Sequence, residues 1–248
     1  LDPTGGGATA FVLGITPGGV LDTSFASGGI SLLAPTSLAG QVVTPRFAQL
    51  DPQGRLLVVG ANRATTATDA ESRAFVLRVA PDGSADASFG VAGVALPNLS
   101  PGGGAFSFST ALLLPTGQLV LGGAAAETPG APRRFLITRL DPAGNLDAKF
   151  GRKGLLLLPA AAGSQDRVTT LVAVPATPTG LGPRGAIYAG GVRGAADGGS
   201  SQGVIFRITA RGAVDRSFAR SLAALPSPGA TVSTVSGIVV QAVGRVLI

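Results

Sequence analysis

Four aspartates, Asp22, Asp86, Asp147 and Asp215, each lie three residues after a glycine and three before a phenylalanine. Carboxylates at a fixed spacing could ligate a metal or exchange protons, so chemistry is sought here first. A residue needed once in every repeat is ordinarily structural, however, whereas chemistry is needed once per molecule. An Asp at such a corner can accept backbone N–H groups of the turn that follows it. The four aspartates are therefore read as structural, and Phe25, Phe89, Phe150 and Phe218 as plugs between adjacent sheets. Most of the remaining carboxylates fall in turns or variable loops. Among them Asp69 and Glu71 are close enough in sequence to form an acid/base pair of glycosidase type, the alternative being a solvated loop tip. No Asp-x-Asp-x-Asp run suggests calcium. No catalytic, metal or cofactor residue is assigned. Arg78, Arg139 and Arg207 share one repeat position, either as blade-edge partners of carboxylates or as an Arg ring gripping an anionic ligand.

Composition narrows the chemistry further. The chain has no Cys and no His, which excludes disulfides, thiol catalysis, a Ser-His-Asp triad and Cys or His zinc ligands. The net charge of +6 comes from 17 Arg and two Lys, Lys149 and Lys153. With so much Ala, Gly and Pro, the Arg excess reads as the mark of a GC-rich genome. Nucleic acid is not an expected partner: its binding calls for clustered basic residues interleaved with aromatics, and here there is one Tyr, Tyr188, with dispersed Arg. No run of 18 apolar residues is present, so no membrane span is expected. The chain starts without Met or a leader, as a processed form or an internal piece would.

Apolar residues make up 45% of the 248, charged residues 13%, and Gly (38) and Pro (18) approach a quarter. That mixture fits an all-β protein with many tight turns, because disorder requires low hydrophobicity. The elements follow from the turns. Gly19, Gly83, Gly144 and Gly212 alternate with Gly54, Gly117, Gly185 and Gly244, roughly every 30 residues. Pro at the first central position and Gly two residues on suit a type I turn with a Gly bulge, joining two antiparallel strands. Two hairpins make one repeat of four strands. The first hairpin takes strands such as Thr110 to Leu114 and Gln118 to Gly123. The second takes an alternating strand (Phe75, Leu77 and Val79 on one face, Val76 and Arg78 on the other) and then the Asp-x-x-Phe segment as its strand. Variable loops are expected at Asn62 to Ser72, Ala124 to Arg133, Ala176 to Pro183 and Arg193 to Gln202.

The phenylalanines lie 64, 61 and 68 residues apart, a period that marks an array of supersecondary units. The expected fold is a β-propeller-like array of four-stranded antiparallel blades, about four repeats of roughly 62 residues. It forms a single array over 1–248, in blade portions 1–40, 41–100, 101–160, 161–230 and 231–248. Because the last strand stops before its repeat is complete, the chain is expected to be a window on a longer propeller. In the alternative, a closed four-bladed ring, Val246 to Ile248 would pair with Phe11 to Thr16.

Two half-motifs recur together: G-x-x-D-x-x-F-G (Gly83 to Gly90, Gly144 to Gly151) and L-x-P-x-G-x-[LI]-[VL]-[VL]-x-G, clearest at Leu113 to Gly123. The pair resembles the bacterial delta-60 repeat, over nearly the whole chain. Departures occur where Thr209 to Gly212 lacks the turn proline and where Ala26 and Ala219 replace the Gly after Phe. The resemblance implies a propeller-like array in a large secreted or surface protein of bacteria, and an extracellular or cell-surface location, with the periplasm as an alternative. The function expected from it is non-catalytic: a structural or binding module in a larger assembly, with other proteins or cell-surface glycans as partners. A carbohydrate-binding or carbohydrate-active propeller and a polyanion binder are the alternatives.

Overall fold

The fold is that of a computed structural model, which describes residues 10–33, 36–64, 66, 72–99, 104–174, 185–195, 199–218, 223–224, 233–241 and 246–248. Apart from one 3-10 turn at Thr36–Leu38, every regular element among them is a strand. Three complete blades are present. The first runs β3 (Gln41–Leu50), β4 (Leu56–Ala64), β5 (Arg73–Val79) and β6 (Val94–Ala95). The second runs β7 (Ala105–Leu113), β8 (Leu119–Ala126), β9 (Arg134–Leu140) and β10 (Leu155–Leu157). The third runs β11 (Arg167–Ala173), β12 (Ile187–Gly194), β13 (Ser201–Ile208) and β14 (Ala223–Ala224). In each, hydrogen bonding joins strands in chain order and antiparallel. Two half-blades flank them: β1 (Phe11–Leu13) pairs with β2 (Ile30–Leu32), and β15 (Val239–Val240) with β16 (Val246–Leu247). β16 and β1 lie in separate sheets, so the pairing expected of the closed ring is not among the described ladders.

The hairpins form as their turn residues dictate. At the β3–β4 turn Gly54 N–H donates to Asp51 C=O at 2.9 Å and Asp51 N–H to Arg55 C=O at 2.9 Å, with Gly54 at φ 75°. The same two bonds recur at Gly19, Gly83, Gly117, Gly144 and Gly212. A positive φ is costly for residues with a Cβ, which is why glycine marks each turn.

The first strands of neighbouring blades pack together, β3 on β7 and β7 on β11. The two middle strands of each blade are buried on both faces, so they read as largely continuous apolar runs. Leu77 and Val79 enter the core shared with the preceding half-blade, while Ala74 and Val76 enter the core shared with the next blade. Phe135 and Ile137 of β9 likewise face the following blade, and Leu136 faces back.

Three sequence expectations are corrected. The Asp-x-x-Phe segment is a turn, closed by Phe150 N–H to Asp147 C=O at 3.0 Å and its equivalents, and the fourth strand comes after it. The first strands are longer than the alternation suggests. A bulge between Phe108 and Thr110, and between Val168 and Thr170, shifts the face by one residue and masks the pattern. Gly123 and Gly191 sit opposite these bulges, where a Cβ would stand about 2 Å from the Ser107 or Arg167 carbonyl oxygen. Parts of the expected loops are strand: β4 reaches Ala64, β8 reaches Ala126, and Arg193 and Gly194 pair with Gln202 and Ser201. Alanine and glycine are weak strand formers alone, and here neighbouring ladders hold them.

Candidate functional site

The four repeated aspartates are tied into local corners. Asp86 Oδ1 accepts the Ser88 N–H (3.0 Å) and hydroxyl (2.7 Å), while Oδ2 accepts Nε of Arg78 at 2.7 Å. Asp215 repeats this with Ser217 and Arg207, and Asp22 with Ser24 alone, since Gly14 stands where the arginine would be. At Asp147, Lys149 replaces the serine, so only the backbone N–H bond remains on Oδ1, at 3.0 Å. Oδ2 takes Arg139 and Gln118. The Ser88 hydroxyl holds the Asp86 carboxyl below its ordinary range, with the Ser88 N–H and Arg78 adding to the effect and burial opposing it. Every repeated carboxylate is thus engaged at short range.

The same corner fastens one blade to the next. Arg78 Nη1 donates to the Pro142 carbonyl of the following blade at 3.0 Å, and Arg139 Nη1 to Ala210 at 2.8 Å. Ala26, Gly90 and Gly151 donate their N–H groups to Asp82, Ala143 and Arg211 across the same seams. Phe89 and Phe150 are buried, each with its Arg guanidinium over the ring at 4.6 Å and 5.0 Å. Each ring lies under the turn glycine of the next blade: a Cβ on Gly144 would meet Phe89 at 3.0 Å, and one on Gly212 would meet Phe150 at 2.9 Å. Phe25 meets Gly83 in the same way, and Phe218 packs edge-on against Tyr188. Arg78, Arg139 and Arg207 are thus each paired with the aspartate of their own corner, one of the two roles expected of that position.

Chemistry specific to one place appears where the repeats depart from one another. Five aligned positions read Ser24, Ser27, Gly28, Asp82 and Ala87 across the first seam. Across the second they read Ser88, Val91, Ala92, Ala143 and Ala148. Across the third, all five are cations: Lys149, Arg152, Lys153, Arg211 and Arg216. Both lysines of the chain are there. All five side chains are exposed, and among the described residues none makes an ion pair. Lys153 adopts φ 54°, at the position held by Gly28 and Ala92.

These cations rim a groove of about 1170 Å³ beside β10. Half-buried apolar side chains line it on both faces of β10, Leu156 with Val214 toward the third blade and Leu155 and Leu157 toward the first, with Leu158 buried beyond them. Among the described residues the single carboxylate lining it, Glu127, is paired with Arg134. Among the described residues no aromatic side chain lines it. The groove can therefore attract an anion by field and cover apolar surface at once. Sequence reading missed it: the arginines looked dispersed because the five positions become neighbours only when adjacent repeats are superposed.

A second departure is Asp166. It aligns with Val43 and Phe106 of the other first strands, is fully buried, and leaves Oδ1 without a hydrogen-bond partner. Arg193 Nε lies 3.3 Å from Oδ2, but burial pushes the carboxyl up more than Arg193 pulls it down. Asp69 and Glu71 lie outside the described residues. Among the described residues no group of three or more carboxylates could hold a metal ion.

Residues 52–89 and 114–150 match a family described as a β-propeller domain of unknown function (DUF5122). Each match runs from the turn of a first hairpin, at Gly54 or Gly117, through the next Asp-x-x-Phe corner. No curated protein matches the chain.

Proposed function

We propose that the chain is a non-catalytic binding module of an exported or cell-surface bacterial assembly, and that it binds its partner in the basic groove of the third seam. The observation that carries this reading is the run of five cations at positions neutral or acidic in the other seams. A structural need would recur in every blade; this feature does not. The resemblance to delta-60 repeats supports the exported, surface-exposed setting. The groove favours an anionic ligand over a neutral sugar, since among the described residues it offers five cations without an ion pair and no aromatic platform.

Retention on heparin-agarose, used as a generic polyanion, tests the reading. Arg152→Val with Lys153→Ala installs the residues of the second seam. Arg46→Ser with Arg167→Ser removes the same charge from exposed positions on β3 and β11. The groove pair is expected to elute at clearly lower salt than the β3/β11 pair. Equal elution would mean that the groove holds the polyanion no better than the neighbouring Arg46, Arg133 and Arg167 do, and would refute the site.

A further inference from the structure

We infer that the groove's partner is an acidic polypeptide segment carrying aliphatic side chains, held by its side chains and not by strand addition; this rests on the reading of the groove as the binding site. Five cations call for an anion, and the apolar lining decides which kind. A sulfated glycan or a nucleic-acid backbone would satisfy the five cations but leave the half-buried apolar lining, Leu156 and Val214 on one face of β10 and Leu155 and Leu157 on the other, uncovered. Single-stranded nucleic acid takes much of its affinity from stacking on aromatic side chains, and none of the described ones lines the groove. Leucines ringed by cations are complementary to a chain that presents carboxylates and aliphatic groups in close succession, which a polypeptide does.

The edge of β10 argues against the common alternative, in which a peptide adds as a fifth strand. Leu155 has both backbone groups engaged by Arg152, with Leu155 N–H to Arg152 C=O at 3.2 Å and Arg152 N–H to Leu155 C=O at 2.7 Å. Leu158 C=O accepts Arg134 Nε at 2.9 Å, and Pro159 has no N–H to give. Leu158 N–H bonds to Phe135, so the alternation along the ladder points Leu156 at β9 and leaves Leu157 alone with outward backbone groups. One residue is too short an edge to template a strand. The capped edge lets the fourth strand stay apolar without inviting sheet-to-sheet association. Recognition therefore falls to side chains: Lys149, Arg152, Lys153, Arg211 and Arg216 for carboxylates, and the leucines of β10 with Val214 for aliphatic groups.

The test is fluorescence anisotropy with a fluorescein-labelled dodecapeptide of alternating Glu and Leu, titrated with the chain at near-physiological salt. Polyglutamate of equal length, a heparin oligosaccharide and a single-stranded DNA dodecamer serve as competitors. The Glu/Leu peptide is expected to bind about tenfold or more tightly than polyglutamate, the effect of covering a few leucine methyl and methylene groups. Lys149→Ser/Arg152→Val/Lys153→Ala, which copies the second corner, is expected to abolish its binding. N-methylating alternate peptide nitrogens is expected to leave the affinity within about twofold, since no ladder depends on them. Equal affinity for the two peptides, or tighter binding of heparin or DNA, would overturn the polypeptide partner while leaving an anion-binding groove in place. A large loss on N-methylation would overturn the side-chain mode. Binding unchanged in the triple variant would overturn the groove itself.

Discussion

Substituting Ala for Gly144 separates what a turn glycine does for its own hairpin from what it does for the neighbouring blade. Gly144 sits at φ 90°, and a Cβ built there meets Phe89 at 3.0 Å and Gly90 N at 3.1 Å. Gly54 occupies the same kind of turn at φ 75°, but its nearest contact would be Pro81 Cγ at 3.8 Å, an ordinary van der Waals distance. Gly54→Ala therefore carries only the left-handed backbone cost, about 1–2 kcal/mol. Gly144→Ala adds an overpacking cost of about 1–3 kcal/mol, because Phe89 is buried and can retreat only by disturbing its stacking beneath Arg78. The difference corresponds to a melting-temperature gap on the order of 5 °C for a chain of this size. Urea unfolding of both variants, followed by far-UV circular dichroism, measures it directly. Equal losses for Gly54→Ala and Gly144→Ala would refute the idea that the phenylalanine of one blade is clamped by the turn of the next.

Three further outcomes are expected. Asp147→Ala strands the Lys149 N–H and the largely buried Arg139 guanidinium, and urea unfolding is expected to show a loss of about 1–3 kcal/mol, with binding to the groove retained if the partner docks on the cations. Asp166 has its carboxyl raised by burial, so the folded chain holds its proton more tightly than the unfolded one, and stability falls as pH rises from about 4 through the folded value. Asp166→Asn removes that cost and leaves Arg193 partly exposed to water, so at pH 7 it is expected to melt no lower than the parent; a loss of more than about 1 kcal/mol would show that the Arg193 pair outweighs burial. Asp86 has its carboxyl lowered, chiefly by Ser88, so this contribution is present above the ordinary value near 3.8 and is lost as pH falls through the folded value. The stability advantage of the parent over Ser88→Ala is accordingly expected at pH 6 and should shrink by pH 2–3 in thermal melts, whereas an equal gap at both would contradict the assignment.

Most of the blade was legible in the sequence because each blade imposes the same demands. A left-handed turn position roofed by the preceding ring admits only glycine, so Gly83, Gly144 and Gly212 recur. A buried plug between sheets calls for a large ring, so Phe89 and Phe150 recur. The Asp-x-x-Phe corner was misread as strand because its apolar Phe mimics an alternating pattern, although the backbone there is folded on itself to aim Asp86 at Ser88 and Arg78. Asp166 was hidden by the bulge between Val168 and Thr170, which breaks the register on which alternation depends. The basic groove was hidden for the opposite reason. Periodicity reports what repeats share, and Lys149, Arg152, Lys153, Arg211 and Arg216 stand out only as differences at shared positions, drawn from two successive repeats.

The division between residues that build the blades and residues that bind is tested most directly by one variant read in two ways. Lys149→Ser/Arg152→Val/Lys153→Ala/Arg211→Ala/Arg216→Ala gives the third seam the residues of the second at all five positions. Its melting temperature is expected to match or exceed that of the parent, since the new residues already serve an equivalent corner and like-charge repulsion is relieved. In the same buffer its anisotropy titration with the Glu/Leu peptide is expected to be flat. A variant that melts as low as Gly144→Ala, or one that binds the peptide as the parent does, would contradict the account.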